Sequence, residues 1–276
     1  EVLERDGNPE RFLGPQTGAL AGYFSSGVPP RYFESELRKP EDRDPRGYVI
    51  PADQKDFPTA TKFVNALIKT GVTVHRATAP FELGGKRYPA NSWVVKTAQA
   101  YRPHVLDMFE PQDHPNDFQY EGGPPVAPYD NAGYTLAFQM GVQFDRILDA
   151  FDGPFERVTG LQRPPAGAVS GTQGAAGFLL SHAQNDVAVV TNRLLADGTQ
   201  VNWLKEPITV SGATFPAGAV YVPAASGVVE KLSQWAAELG VDVHGVASAP
   251  RVQALELNSV RVGLWDQYGG SMPSGW

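Results

Sequence analysis

The chain has 276 residues and a formal net charge of −7, which argues against a nucleic-acid partner because phosphate binding requires a basic surface. It contains no cysteine, and this excludes disulfides, thiolate nucleophiles and cysteine metal sites. No run of about 18 apolar residues is present, so no membrane-spanning helix is predicted, and the first residues show no signal-peptide pattern.

The first part of the chain is predicted to form an extended lead-in followed by an α/β repeat. Residues 1–46 contain several prolines and glycines and show weak periodicity, which indicates the lead-in. Repeat one, 47–110, begins with a short apolar strand, and Asp56 caps a helix that ends at Gly71. A second strand, a hairpin turning at Gly84-Gly85 and a closing helix complete the repeat.

The rest of the chain is predicted to contain a second copy of this pattern. Residues 111–173 are rich in loop signals and are interpreted as a bridging segment. Repeat two, 174–250, again reads as strand, helix, strand, hairpin and helix. Residues 251–276 have the pattern of a truncated further unit, in which 260–267 is expected to form a buried strand. An uncovered Leu264 and Trp265 there would favour self-association.

A repeat at constant spacing supports the duplication. Residues 71–100 align without a gap on residues 198–227, at an offset of 127 positions. Identical pairs include Gly71/Gly198, Val74/Val201, Pro80/Pro207, Gly85/Gly212, Pro89/Pro216, Ala90/Ala217, Val95/Val222 and Ala98/Ala225. The alternation of strands and helices predicts an α/β fold of duplicated strand–helix–strand–hairpin–helix units, with mostly parallel sheets flanked by helices.

Three places are candidates for ligand binding. His182 follows the first strand of repeat two, where open α/β sheets place ligands, and Asp53 and Gln54 occupy the corresponding place in repeat one. The alternative is that these are loop side chains that cap the next helix. The turn at Gly269, Gly270 and Ser271 precedes a predicted helix start and would present backbone N–H groups to an anion, or would simply be a tight turn.

No catalytic or metal site is assigned to this chain. His104 and Asp107 lie at i and i+3 with His114 nearby, a pattern that could share a divalent metal, but a third ligand at recognisable spacing is missing. The histidines at 75 and 244 are flanked by valines in strands and are predicted to be core residues. The tryptophans are predicted to fill the core rather than to bind a ligand: Trp93, Trp203 and Trp235.

Four stretches occur in an order that resembles a known family: RDPRGYVIPADQ (43–54), VHRATAPFELGGKRYPANSWVV (74–95), PYDNAGYTLAFQMGV (128–142) and RVGLWDQYGGSMPSGW (261–276). They are similar to the region after the catalytic domain in large secreted bacterial proteins of the carboxypeptidase A-type zinc metallopeptidase family. In that family the last stretch looks like the start of a class I glutamine amidotransferase-like domain. The family's H-x-x-E zinc motif has no counterpart here, since His104-x-x-Asp107 carries the wrong acid.

The resemblance implies a function for the chain within a larger protein. It implies a non-catalytic accessory or scaffolding region, secreted or periplasmic, whose partners are the other domains of a zinc carboxypeptidase-like parent. Zinc is expected in the peptidase domain and no cofactor in this chain. The alternative is a module that binds a small ligand, a peptide or a glycan in a cleft between two α/β units. An independent hydrolase with a metal at His104, Asp107 and His114 is the third hypothesis.

Overall fold

The computed structural model describes residues 43–111, 118–126 and 135–263, together with Lys39 and Trp265. The chain divides into two compact units. The first compact unit contains the described residues up to Ala52, Leu67–Leu136 and Gln143–Thr159. The second contains Asp53–Ala66, Ala137–Val142 and the described residues from Gly160 onwards. Within the described part of the chain, no helix is long and apolar enough to cross a membrane.

The first compact unit is built on a five-stranded sheet. Its strands and its helix are β1 (Gly47–Ile50), β2 (His75–Ala77), β3 (Phe81–Leu83), β4 (Lys86–Tyr88), β5 (Trp93–Lys96), α2 (Arg102–Phe109), β6 (Asp145–Ile147) and β7 (Phe155–Arg157). The sheet order is β6-β1-β5-β2-β7, and β3 pairs with β4 in a separate hairpin. One part of the core joins the sheet to the hairpin through Val49, Tyr88 and Val94.

In two further helices, the residues at the start and at the end belong to different compact units. Helix α1 (Phe57–Lys69) belongs to the second compact unit up to Ala66 and to the first from Leu67. Helix α3 (Leu136–Gln139) is divided after its first residue. Helix α1 begins where the sequence predicts, because the Asp56 carboxylate accepts a hydrogen bond from the Thr59 backbone N–H at 3.2 Å.

The second compact unit is built on a six-stranded sheet. Its remaining elements are β8 (Val169–Ser170), β9 (Gly177–Leu180), α4 (Val187–Ala196), β10 (Asn202–Leu204), β11 (Ile208–Val210), β12 (Ala213–Phe215), β13 (Val220–Pro223), α5 (Val228–Leu239), β14 (Val243–Val246) and β15 (Ala254–Glu256). The sheet order is β15-β10-β13-β9-β14-β8, and β11 pairs with β12. Helices α4 and α5 contribute Val190, Leu194 and Leu232 to the core on one face of this sheet.

The prediction of mostly parallel sheets is wrong. In the first unit every neighbouring pair of strands is antiparallel, and in the second unit the β14–β8 pair alone is parallel among the described strands. The reason is the hairpin that follows β2. It reverses the chain, so β5 returns between β1 and β2 and pairs antiparallel with both. The strands joined by helix α1 are therefore parallel to each other without being neighbours.

The two sheets share the same internal order and register. The order β6-β1-β5-β2-β7 in the first unit corresponds to β14-β9-β13-β10-β15 in the second. Gly47 lies opposite Ile147 in the first sheet, and Gly177 lies opposite Val246 at the equivalent place in the second. The match therefore includes β6 and β7, which fall within the 111–173 segment predicted to bridge the repeats. From here on, repeat one means residues 43–157 and repeat two means residues 173–256.

Equivalent turns fix this geometry in both copies. Gly71 and Gly198 end helices α1 and α4 with φ angles of 91° and 73°, a region that suits glycine because it has no Cβ. Each glycine N–H donates to a carbonyl in the last turn of its helix, Ile68 O in one repeat and Leu195 O in the other, both at 3.1 Å. The same stop signal therefore produces the same exit direction from both helices.

The expectation of a buried strand at 260–267 is wrong. Residues 257–263 form no strand, and the Val260 and Val262 side chains are each 80% exposed. The preceding strand, β15, is already the edge of its sheet and pairs on one side with β10. Among the described strands, none lies beyond β15 at this edge, so residues 257–263 have no strand to pair with. Leu264 lies outside the described residues.

Candidate functional site

A small pocket of about 230 Å³ lies in the second compact unit, beside the first turns of helix α4. Five polar side chains and one indole ring surround it: His182, Gln184, Asn185, Thr191, Asn192 and Trp203. Apolar atoms of Val187, Ala188 and Val220 complete its wall. We call this site the neutral pocket, because none of its described lining residues carries a carboxylate, ammonium or guanidinium group.

The loop that follows β9 places the polar groups of the neutral pocket. Gln184 is buried, and its amide is held in a reciprocal contact with Asp242. Its Nε2 donates to the Asp242 carboxylate at 3.2 Å, while its Oε1 accepts from the Asp242 backbone N–H at 2.8 Å. With both ends of the amide satisfied, Gln184 positions the loop and leaves the neighbouring side chains to face a ligand.

His182 and Trp203 are the two ring side chains of the neutral pocket, and both are exposed. The residue beside the His182 ring is Gly218, with a φ of 91°, and a Cβ at this position would lie 3.2 Å from the His182 Nδ1. The glycine therefore gives the imidazole room as well as allowing the turn. Trp203 lies on β10 opposite Val220 and is 46% exposed. Its ring offers an apolar surface next to amide and hydroxyl groups.

The same loop is tied to the first turns of helix α1 within the second compact unit. The Asn185 backbone N–H donates to the Asp56 carboxylate at 3.0 Å, and the Asn185 Nδ2 donates to Thr59 Oγ1 at 3.1 Å. The Lys62 ammonium donates to Asp186 Oδ1 at 2.5 Å. Asp186 is buried, and its second oxygen has no hydrogen-bond partner among the residues that the structure describes. These bonds hold the pocket loop in one conformation.

The other predicted binding residues lie outside the neutral pocket. Asp53 is exposed and Gln54 is half-buried, and neither lines it. Their loop leads directly to Asp56, whose carboxylate contacts Asn185. The loops predicted to bind a ligand therefore meet, although through a different residue. The predicted anion turn at Gly269, Gly270 and Ser271 lies outside the described residues.

The histidines away from the pocket have structural contacts. His104 Nε2 lies 2.9 Å from Thr70 Oγ1, while His114 falls outside the described residues. No group of three or more potential metal ligands occurs in the described part of the chain. His244 lies edge-on to the Phe215 ring with centroids 5.1 Å apart. Burial, and then the charges of Lys96 and Arg157, lower the pKa of His75.

The most informative residue of the pocket was missed from the sequence. Of the tryptophans predicted to fill the core, Trp93 is buried and Trp235 packs against the core, but Trp203 is 46% exposed. The repeat carries a signal that could have identified it. The position equivalent to Trp203 in repeat one is Arg76, which pairs at the surface with Glu156. A tryptophan aligned with an exposed arginine occupies a surface position.

Comparisons of the chain with protein-family models, with curated proteins and with solved structures gave no match.

Proposed function

We propose that the chain is a non-catalytic binding module whose neutral pocket takes a small uncharged ligand, a sugar ring of a glycan. The argument starts from the chemistry of the lining. A sugar ring has an apolar C–H face that packs on an indole and hydroxyl groups that bond with amides, hydroxyls and imidazole. The pocket offers Trp203 for the first and Asn185, Thr191, Asn192 and His182 for the second.

The observation that carries the proposal is the exposure of Trp203 beside polar side chains. Leu255 lies opposite Trp203 on strand β15 and is also exposed, so two large apolar side chains meet water on one surface. Covering a large apolar side chain is worth about 1.5–3 kcal/mol. At the equivalent places in repeat one, Arg76 and Glu156 form an ion pair at 2.5 Å. The apolar pair is therefore a feature of repeat two alone.

The size of the pocket limits the ligand. A volume of about 230 Å³ is below the range of roughly 300–1,000 Å³ typical of sites that enclose drug-sized molecules. One sugar ring or one amino-acid side chain fits such a space, and a longer polymer would extend along the surface that includes Leu255. The described lining residues carry no charged group, which favours a neutral sugar over an amino-acid carboxylate.

The wider role in this proposal comes from the sequence resemblance. We place the module in the accessory region of a secreted or periplasmic zinc carboxypeptidase-like protein, with its partners in the parent's other domains. There, the module would hold a polymer close to a peptidase. Purified chain incubated with zinc and C-terminal peptide substrates should show no hydrolysis. Zinc-dependent release of C-terminal residues would contradict the non-catalytic assignment.

Binding is tested with a panel of neutral monosaccharides and short oligosaccharides, and with uncharged dipeptide amides as the competing class. Calorimetry or tryptophan fluorescence should detect one saturable site for a sugar. Trp203→Ala should weaken binding at least about tenfold, because truncating a tryptophan at a binding hot spot costs about 2 kcal/mol or more. Trp265→Ala is the matched control, since Trp265 is also exposed but does not line the pocket.

The two variants decide between outcomes. Equal weakening by Trp203→Ala and Trp265→Ala would contradict the location of the site. Saturable binding of dipeptide amides without sugar binding would keep the site and replace the ligand class.

A further inference from the structure

The first compact unit contains a second site, an open cleft of about 810 Å³. It is formed by the residues before β1, the end of β5, the start of helix α2 and the loop between β6 and β7. Four basic side chains line it: Arg43, Arg46, Lys96 and Arg102. Two of the described lining residues are acidic, Asp44 and Asp149. We call this site the cationic cleft.

Two basic groups of the cationic cleft, Arg43 and Lys96, are less exposed than their acidic partners. Arg43 pairs with Asp149 at 2.9 Å, and Lys96 pairs with Asp152 at 3.1 Å. The side chains of Arg43 and Lys96 are 30% and 31% exposed, whereas those of Asp149 and Asp152 are 85% and 87% exposed. Ion pairs to such exposed acids contribute little. An incoming anion therefore displaces these aspartates at small cost.

Two guanidinium groups of the cationic cleft are not fully paired. Within the described part of the chain, Arg46 forms no ion pair, and the buried Nε of Arg43 has no hydrogen-bond partner. An apolar surface lies next to them. The Phe151 ring lines the cleft, and the Lys96 ammonium lies 5.5 Å from the centroid of this ring. The cleft thus combines positive charge with an aromatic face.

Repeat two has none of this charge at the equivalent positions. Each basic residue of the cleft has an uncharged equivalent in repeat two: Arg43/Gln173, Arg46/Ala176, Lys96/Pro223 and Arg102/Val229. The places of Asp44 and Asp149 are taken by Gly174 and Ser248. A charged cluster that occurs in one copy of a duplicated fold is not required by the fold, since the other copy forms the same sheet without it.

We propose that the cationic cleft binds a small organic anion, one that joins a phosphate, sulfate or carboxylate group to an apolar ring or chain. The anionic group takes the place of Asp149 at Arg43 and pairs with Arg46, and the apolar part packs on Phe151. This site is separate from the neutral pocket in residues and in ligand charge, so each can fail without the other.

The test is a titration of the whole chain, followed by amide NMR shifts, with phenyl phosphate, benzoate and phenol as probes. We expect saturable shifts at residues 96–102 and 148–151 with the anions and none with phenol. The tighter of the two anions identifies the preferred charged group. An absence of saturable shifts with both anions, or equal shifts with phenol, would overturn the proposal.

Three single-charge variants sharpen the test. Arg46→Gln should weaken anion binding about two- to fivefold, the range expected when one exposed ion pair is lost. Asp149→Asn should strengthen it by a similar factor, because it removes the competing carboxylate. Arg251→Gln is the matched control, an exposed arginine in the β14–β15 loop of repeat two, and should leave affinity unchanged.

Weaker anion binding in Arg46→Gln together with stronger binding in Asp149→Asn would place the anion beside Arg46 and the Arg43–Asp149 ion pair. A uniform loss of binding in both variants, or an equal loss in Arg251→Gln, would show a nonspecific or purely structural effect and would overturn the site. A thermal melt of each variant identifies unfolding, and Asp149→Asn keeps the test decisive even if Arg46→Gln is unstable.

Discussion

The two repeats use one backbone plan to carry two different surfaces. Their sheets have the same order and register, and equivalent residues occupy one part of each core: Val49/Leu179, Tyr88/Phe215 and Val94/Tyr221. Their surfaces differ in charge. Repeat one carries the cationic cleft and the Arg76–Glu156 ion pair, whereas repeat two carries the neutral pocket and the exposed pair Trp203 and Leu255.

The comparison shows which parts of the chain the fold requires. Turns and core positions match because they determine how β5 and β13 return between their neighbours. Surface positions are free of that requirement and have diverged. A partly exposed polar network illustrates the same point. Tyr48 donates to Glu110 at 2.6 Å and Arg146 donates to Glu110 at 2.9 Å, whereas repeat two has Phe178 and Gly245 in place of Tyr48 and Arg146.

The largest expected effect is at the shared core. Tyr88→Ala and Phe215→Ala should each lower the free energy of unfolding by about 3–5 kcal/mol, since both remove a buried ring and leave a cavity. Chemical denaturation measures both, with the exposed Thr214→Ala as a near-neutral control. A cost below about 1 kcal/mol at one position and a full cost at the other would show that the two core sites are not equivalent.

The next effect concerns the ion pair that holds the pocket loop. Lys62→Met should lower the free energy of unfolding by about 1–3 kcal/mol, because it leaves the buried Asp186 carboxylate without its charged partner. Lys62→Met combined with Asp186→Asn should recover part of this loss. If the double variant is no more stable than Lys62→Met, the two side chains are not energetically coupled.

A surface exchange between the repeats should separate binding from stability. Trp203→Arg with Leu255→Glu installs the repeat-one pair in repeat two and should change the free energy of unfolding by less than about 1 kcal/mol. The same double variant should abolish sugar binding, because it removes the apolar face of the neutral pocket. Retained binding would locate the ligand elsewhere, and strong destabilisation would show that Trp203 is needed for folding.

The smallest effect is a pH dependence specific to repeat one. The pKa of His75 is lowered in the folded state, so the unfolded chain binds more protons and stability falls as the pH drops below about 6.5, the ordinary histidine value. His75→Asn, which places the equivalent Asn202 residue type there, should flatten the stability profile between pH 7 and 5. An unchanged slope in this variant would assign the pH dependence to other groups.

Local signals in the sequence predicted the local structure well. Gly71 and Gly198 marked two helix ends, Asp56 marked a helix start, and the first hairpin turns at Gly84-Gly85 as predicted. Strand pairing could not be obtained in the same way. A strand–helix–strand pattern is compatible with neighbouring parallel strands or with a gap that a later strand fills, and that choice depends on contacts between residues distant in sequence.

Of the predicted binding residues that the structure describes, His182 alone lines the neutral pocket, because it follows a buried strand. A tryptophan in an apolar strand is usually buried, and the sequence therefore predicts Trp203 to lie in the core. Its side chain is exposed instead, on the strand β10. Helix-end and strand-end signals locate a loop, whereas exposure of a side chain depends on the whole sheet.

The most direct test of the divergence between the repeats is one NMR experiment with two ligands on the same protein. A neutral sugar should shift the Trp203 indole N–H and leave the amides of residues 96–102 unchanged, while phenyl phosphate should do the reverse. Shifts of the same residues by both ligands, or no shift of the Trp203 indole by any sugar, would contradict the conclusion that the two repeats carry sites of different chemistry.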